Sequence, residues 1–104
     1  MAKKTREGYW SEWARNKSYK EVVDCLSGMR KKVFNAIDNY GPLSNEVIAS
    51  MLNVYPHQIT PRTYELREMK VVEFAEFGKS MDGTKTVSLW RIKPAQPTQL
   101  NLNF

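Results

Sequence analysis

The stretch that most constrains this chain is Ile59-Thr60-Pro61-Arg62-Thr63-Tyr64-Glu65-Leu66-Arg67-Glu68-Met69-Lys70. A hydroxyl residue precedes a proline, and a run of helical period follows. Thr60 suits an N-cap, since its oxygen can accept from a free amide of the first turn. Pro61 suits the first helical position, where a missing N–H is not needed and a fixed φ is already helical. The reading is a helix from about Thr60 to Lys70. Ile59, Thr63, Leu66 and Met69 or Lys70 fall on its inner face, and Arg62, Tyr64, Glu65 and Glu68 fall largely outside.

The flanks fit that helix into a larger unit. Gly41-Pro42-Leu43 reads as a turn and Ser44 as an N-cap, with Val47, Ile48, Met51 and Leu52 forming the apolar face of a helix of two to three turns. Asn53-Val54-Tyr55-Pro56 breaks it. After Lys70 the period changes from helical to extended. Val71-Val72-Glu73-Phe74-Ala75-Glu76-Phe77 and Thr86-Val87-Ser88-Leu89-Trp90-Arg91-Ile92-Lys93 are β-rich runs separated by a turn-rich loop with an Asp82-Gly83 pair, which predicts a hairpin. Upstream, Ser18-Tyr19-Lys20-Glu21 is a capping box that opens a helix carrying Tyr19, Val22, Val23 and Leu26 on one stripe. Ser27-Gly28 interrupts it, and Met29, Val33, Phe34, Ile37 and Tyr40 resume at helical spacing. Two helices, or one kinked helix, fit equally. Arg30-Lys31-Lys32 reads as a solvated first turn.

Composition bounds the function classes. A chain of 104 residues with 41% hydrophobic and 26% charged side chains is ordinary globular material, expected as one domain. The basic start is not followed by an apolar stretch, so no secretory leader is expected and the cytoplasm is the default compartment. The one cysteine, Cys25, excludes an intramolecular disulfide and reads as a small buried hydrophobe. With His57 the only histidine, no metal site is expected. No nucleophile–base arrangement, phosphate loop or placed carboxylate pair points to catalysis, so neither an enzyme nor a cofactor is expected.

The net charge of +5 is unevenly spread. Residues 1–20 hold Lys3, Lys4, Arg6, Arg15, Lys17 and Lys20 against Glu7 and Glu12, whereas the remainder holds ten basic and nine acidic side chains. Residues 1–17 therefore read as a basic aromatic arm, with Tyr9, Trp10 and Trp13 among the cations. Such an arm can contact polyphosphate, or it can be a solvated terminus. Packing on the domain is the favoured role for at least one tryptophan.

The order helix, helix, helix, hairpin over residues 28–93 resembles a winged helix-turn-helix domain of the small bacteriophage-encoded type. The carriers are Gly41-Pro42-Leu43-Ser44, Ile59-Thr60-Pro61-Arg62, Glu65-Leu66-Arg67, Val71-Val72 and Val87-Ser88-Leu89-Trp90-Arg91. The resemblance implies an α+β fold, a three-helix core plus a β-hairpin wing, with an extra N-terminal helix, occupying residues 18–93. It implies a major-groove role for the third helix and a backbone or minor-groove role for the wing. Carried over, Gln58, Thr60, Arg62 and Tyr64 become candidate DNA contacts, Lys79 and Lys85 wing contacts, and Lys3, Lys4 and Arg6 contacts of the arm. Arg62 suits a guanine edge, a pairing worth roughly 1–3 kcal/mol of discrimination. Glu65 and Glu68, on the same helix, oppose a polyanion, or else they pair with Arg62 and Arg67 and leave the helix as a protein-facing or solvated surface.

Residues 94–104 read as a flexible tail. Within it, Gln99, Leu100, Leu102 and Phe104 resemble the bacterial sliding-clamp-binding peptide, which implies a clamp as partner. Alternating apolar residues can equally fold back as a strand. The expected function is a non-enzymatic DNA-binding protein acting in replication or transcriptional control in a bacterial host, binding double-stranded DNA and docking on the clamp. The alternative is a winged-helix protein-interaction module that inhibits or redirects a host protein. Dimerisation through the amphipathic segment at residues 19–26 is open, and no membrane association is expected.

Overall fold

A computed structural model describes residues 9–94. Within them the fold is α+β, with five helices followed by a two-stranded antiparallel sheet. The helices are α1 (Tyr9–Ala14), α2 (Tyr19–Asp24), α3 (Gly28–Tyr40), α4 (Asn45–Leu52) and α5 (Pro56–Glu68), and the strands are β1 (Val72–Lys79) and β2 (Thr86–Ile92).

Local chemistry explains most boundaries. The Ser18 box closes as its sequence predicts: Glu21 N–H donates to Ser18 Oγ at 3.1 Å, and Ser18 N–H donates to Glu21 Oε1 at 2.8 Å. The chain breaks after α2, so α2 and α3 are separate helices. α3 ends at Gly41, where a Cβ would lie 2.5 Å from the Ile37 carbonyl oxygen, so the chain can turn there only without a side chain. Ser44 caps α4 by accepting from Val47 N–H at 3.2 Å. α5 ends in a Schellman turn: Val71 N–H donates to the Leu66 carbonyl and Lys70 N–H to that of Arg67. Lys70 takes the left-handed position there, with φ 69°.

α5 begins four residues before the start expected from Thr60. Pro56 takes the first position, and Gln58 reaches back to accept from Tyr55 N–H at 3.0 Å. Pro61 therefore lies inside the helix, where its ring leaves the His57 carbonyl without the usual i+4 donor. Thr60 is an interior residue whose hydroxyl donates to the Pro56 carbonyl at 3.2 Å.

α5 packs on α3 and α4, and the hairpin closes against α3 and α5. Ile48, Ile59, Leu66, Val33, Val71 and Val72 are fully buried at the junction. Leu43 adds one rung beside β2: Leu43 N–H donates to the Trp90 carbonyl at 3.0 Å and Trp90 N–H donates back at 2.7 Å. The strand register shifts between Phe74 and Glu76, a bulge that turns the outer part of the hairpin.

Cys25 and Met51 depart from the expected pattern. Cys25 is exposed: it caps the end of α2, whose buried residue is Val22, and the chain's next buried side chain is Leu26. Met51 is exposed while Ala49 is buried in α4. Tyr9–Ala14, within the arm, forms helix α1, and Trp10 and Trp13 pack against the core. Val22 of α2 and Leu26, just beyond its end, are likewise buried within this chain's own core. Burial, and to a lesser extent Asp38, raises the pKa of Tyr19 beside them. Among the described residues, no helix is long and apolar enough to cross a membrane.

Candidate nucleic-acid interface

The exposed start of α5 carries His57, Gln58, Thr60, Pro61 and, one turn on, Tyr64. Gln58 is the third residue of the helix, and its carbonyl oxygen is engaged in capping. Its side-chain amide donors are not used by that bond. Tyr64 is exposed, and its hydroxyl donates to Glu68 Oε2 at 3.1 Å. Tyr55, just before the helix, stacks on His57 with centroids 5.7 Å apart.

Arg62 does not extend freely outward. Its Nη2 donates to Glu65 Oε2 at 3.2 Å, and its Nε is buried without a hydrogen bond. Glu65 is drawn inward from the outer face on which its spacing puts it. Its side chain is only 16% exposed, and Oε1 accepts from Arg30 Nε at 2.8 Å. Arg30 in turn lies over the Trp10 ring, with Cζ 4.3 Å from the centroid. Arg30 is thus a half-buried tether between α1, α3 and α5 rather than part of a solvated turn, while Lys31 and Lys32 are exposed. The carboxylate that seemed to oppose a polyanion is held between two guanidinium groups. Arg67 also turns inward, placing Cζ 4.3 Å over the Trp90 ring.

The hairpin tip is an ordered turn. Asp82 Oδ1 accepts from Ser80 Oγ at 2.6 Å, from Thr84 N–H at 3.0 Å and from Thr84 Oγ1 at 2.8 Å. The Ser80 bond is the largest cause, followed by those from Thr84, of an Asp82 pKa lowered to about 2. Ser80 N–H donates to the Lys85 carbonyl at 2.8 Å, so the flanking Lys79 and Lys85 leave the tip together, both exposed. Met81 N–H donates to Glu46 Oε1 at 3.0 Å, which latches the tip to the first turn of α4. Between the latch, Pro56 and Trp90 lies a cleft of about 440 Å³ with Lys85 on its wall.

Asn45 joins these parts, and sequence reasoning missed it. Its Oδ1 accepts from Thr63 Oγ1 at 2.9 Å and from Trp90 Nε1 at 3.0 Å, linking α4, α5 and β2. Only its place after Ser44 was visible in the sequence; its partners lie 18 and 45 residues away.

The structure brings Gln58, Thr60, Arg62 and Tyr64 onto one helix, with Lys79 and Lys85 flanking a tip fixed to its neighbour α4. Lys3, Lys4 and Arg6, and the tail residues Gln99, Leu100, Leu102 and Phe104, lie outside the described residues. Among the described residues, no group of histidine, cysteine and carboxylate side chains is placed to hold a metal ion. No protein-family model matches the chain, and no curated protein matches it.

Proposed function

We propose that this chain is a non-enzymatic DNA-binding protein of the winged helix-turn-helix type, with α4 and α5 as the helix-turn-helix and the β1–β2 hairpin as the wing. The observation that carries this reading is the Met81–Glu46 bond, which holds a lysine-flanked tip beside the start of α4 and across a cleft from Pro56. In this arrangement the N-terminal half of α5 enters the major groove and the wing lysines meet the flanking backbone. Gln58, Thr60 and Tyr64 supply contacts at the groove. Arg62 reads a base only by exchanging its bond to Glu65 for one to DNA, and Arg30 keeps Glu65 neutralised when it does so. Lys79, Lys85 and the basic residues Lys3, Lys4 and Arg6 add phosphate contacts, which supply affinity without sequence choice.

The biological setting belongs to the same proposal and rests on sequence resemblance. It is a bacteriophage-type protein acting in replication or transcriptional control in the bacterial cytoplasm, docking on the sliding clamp through Gln99, Leu100, Leu102 and Phe104. Binding to a mixed-sequence duplex, followed by fluorescence anisotropy across a salt series, tests the DNA reading. Affinity falling steeply with salt, with the slope reduced by about 1 for each wing lysine replaced by glutamine, supports it. Salt-independent binding, or none to any duplex, contradicts it.

One observation favours a second reading, a protein-interaction module. Phe77 is 68% exposed on the hairpin, with its ring 4.9 Å from that of the exposed Phe74. Exposed aromatic pairs suit protein contacts more than phosphate contacts. Phe77→Ser abolishing capture of a host protein while leaving duplex binding intact selects this reading.

A further inference from the structure

A second and larger cleft, of about 910 Å³, lies at the opposite end of α5. One wall comes from α1, α2 and the loop between them, the other from the end of α5 and the segment after β2. α5 has 13 residues, so this cleft is roughly 20 Å along the helix from the exposed start that carries the proposed DNA contacts.

Its chemistry has two parts. The floor is apolar, formed by the half-buried Tyr19 and the exposed Pro94 over the nearly buried Ala14, Val22 and Met69. The walls are cationic: Arg15, Lys17 and Lys20 on one side, Lys70 and Lys93 on the other. Arg15 is offset by Glu12 at 3.6 Å and Lys20 by Asp24 at 3.0 Å, both at exposed positions where such pairs contribute little. Among the described residues, Lys70 and Lys93 face no carboxylate within ion-pair distance, and Lys17 is engaged only with the Trp13 ring, 4.6 Å away. Lys70 also occupies a left-handed backbone position that a glycine adopts without strain and a lysine does not. What the lysine adds there is a cation on the wall of the cleft.

We infer that this cleft is a docking site for an acidic amphipathic peptide segment of a partner protein. Cations on both walls over an apolar floor complement a helix with an apolar stripe flanked on each side by carboxylates. A polynucleotide satisfies the walls but sets charged backbone or polar base edges against the floor. A single anionic headgroup pairs with one wall and leaves the other uncompensated. Together these features favour the peptide, and they make the site independent of the DNA-binding reading.

The probe is a fluorescein-labelled helical peptide with leucine at i, i+3, i+4 and i+7 and glutamate on both flanks, titrated against the full chain by anisotropy. An isomer of the same composition with its leucines scattered is the control for the floor. Saturable binding is expected, weakened at least tenfold by scattering the leucines and at least tenfold in Lys70→Gly/Lys93→Gln. Lys70→Gly removes the cation while relaxing the backbone, so a loss of binding in this variant with an undiminished melting temperature is a loss of the site. Equal binding of the isomer, unchanged affinity in the double variant, or displacement of the peptide by a mixed-sequence duplex overturns the inference.

Discussion

Arg30 Nε and Glu65 Oε1 meet at 2.8 Å, joining the first turn of α3 to the last turn of α5. The same carboxylate accepts from Arg62 at 3.2 Å, so one charge is shared by two guanidinium groups. The consequence reaches the outer face of α5, which keeps polar and aromatic side chains there while Glu65 is withdrawn. Charge-assisted bonds at partly buried sites are worth more than exposed pairs, because less solvent screens them.

Glu65→Ala leaves Arg30 and Arg62 side by side without their shared anion. A loss of about 1–3 kcal/mol is expected, read as a lower urea midpoint with an unchanged slope. An unchanged midpoint contradicts the tether.

Asn45→Ala removes one oxygen that serves two donors. The Thr63 hydroxyl has a second acceptor, the Thr60 carbonyl at 3.1 Å, and can turn to it. Among the described residues, the Trp90 indole N–H donates only to Asn45. The expected result is a loss of about 1–3 kcal/mol and a shifted Trp90 indole resonance, with Asn45→Asp, which keeps the acceptor, milder than Asn45→Ala. Equal losses in the two variants argue against the hydrogen bond as the cause.

Lys70→Gly relieves a left-handed backbone position at the end of α5. A gain in stability of up to about 1 kcal/mol is expected from thermal or urea unfolding, because glycine takes that conformation without a Cβ penalty. A loss shows that contacts of the lysine stem outweigh the backbone strain.

Asp82 is held in its charged form by Ser80 and Thr84, with a folded pKa of about 2 against an ordinary 3.8. A carboxylate whose pKa is lowered by folding contributes stability above its unfolded value and loses it as pH falls through the folded one. The tip is therefore fully supported above pH 4 and loosens as pH falls through about 2. Carboxyl NMR titration should give a midpoint near 2, and a midpoint near 3.8 removes the cage. Asp82→Asn should loosen the tip at neutral pH.

Much of the fold was legible because its signals are local. The Ser18–Glu21 box, the Ser44 cap and the β-rich runs around Asp82-Gly83 each declare themselves within a few residues. The start of α5 was misplaced because two local signals compete. Thr60-Pro61 is a valid start, but Pro56 with Gln58 three positions into the helix makes an earlier one, and the interior tolerates Pro61. The candidate site was legible as a set of residues but not as an electrostatic surface. Arg30, which draws Glu65 inward, lies 35 residues from it, and the partner of the Met81 amide is equally distant. Neither separation has a period or a motif to announce it.

The most direct test is an amide NMR titration of the full chain with a mixed-sequence duplex at low salt. Shifts should concentrate at residues 56–64 and 79–85 and be reversed by added salt, with the cleft between α2 and the end of α5 unperturbed. Shifts confined to that cleft or to the Phe74–Phe77 face, or none at all, contradict the DNA-binding reading.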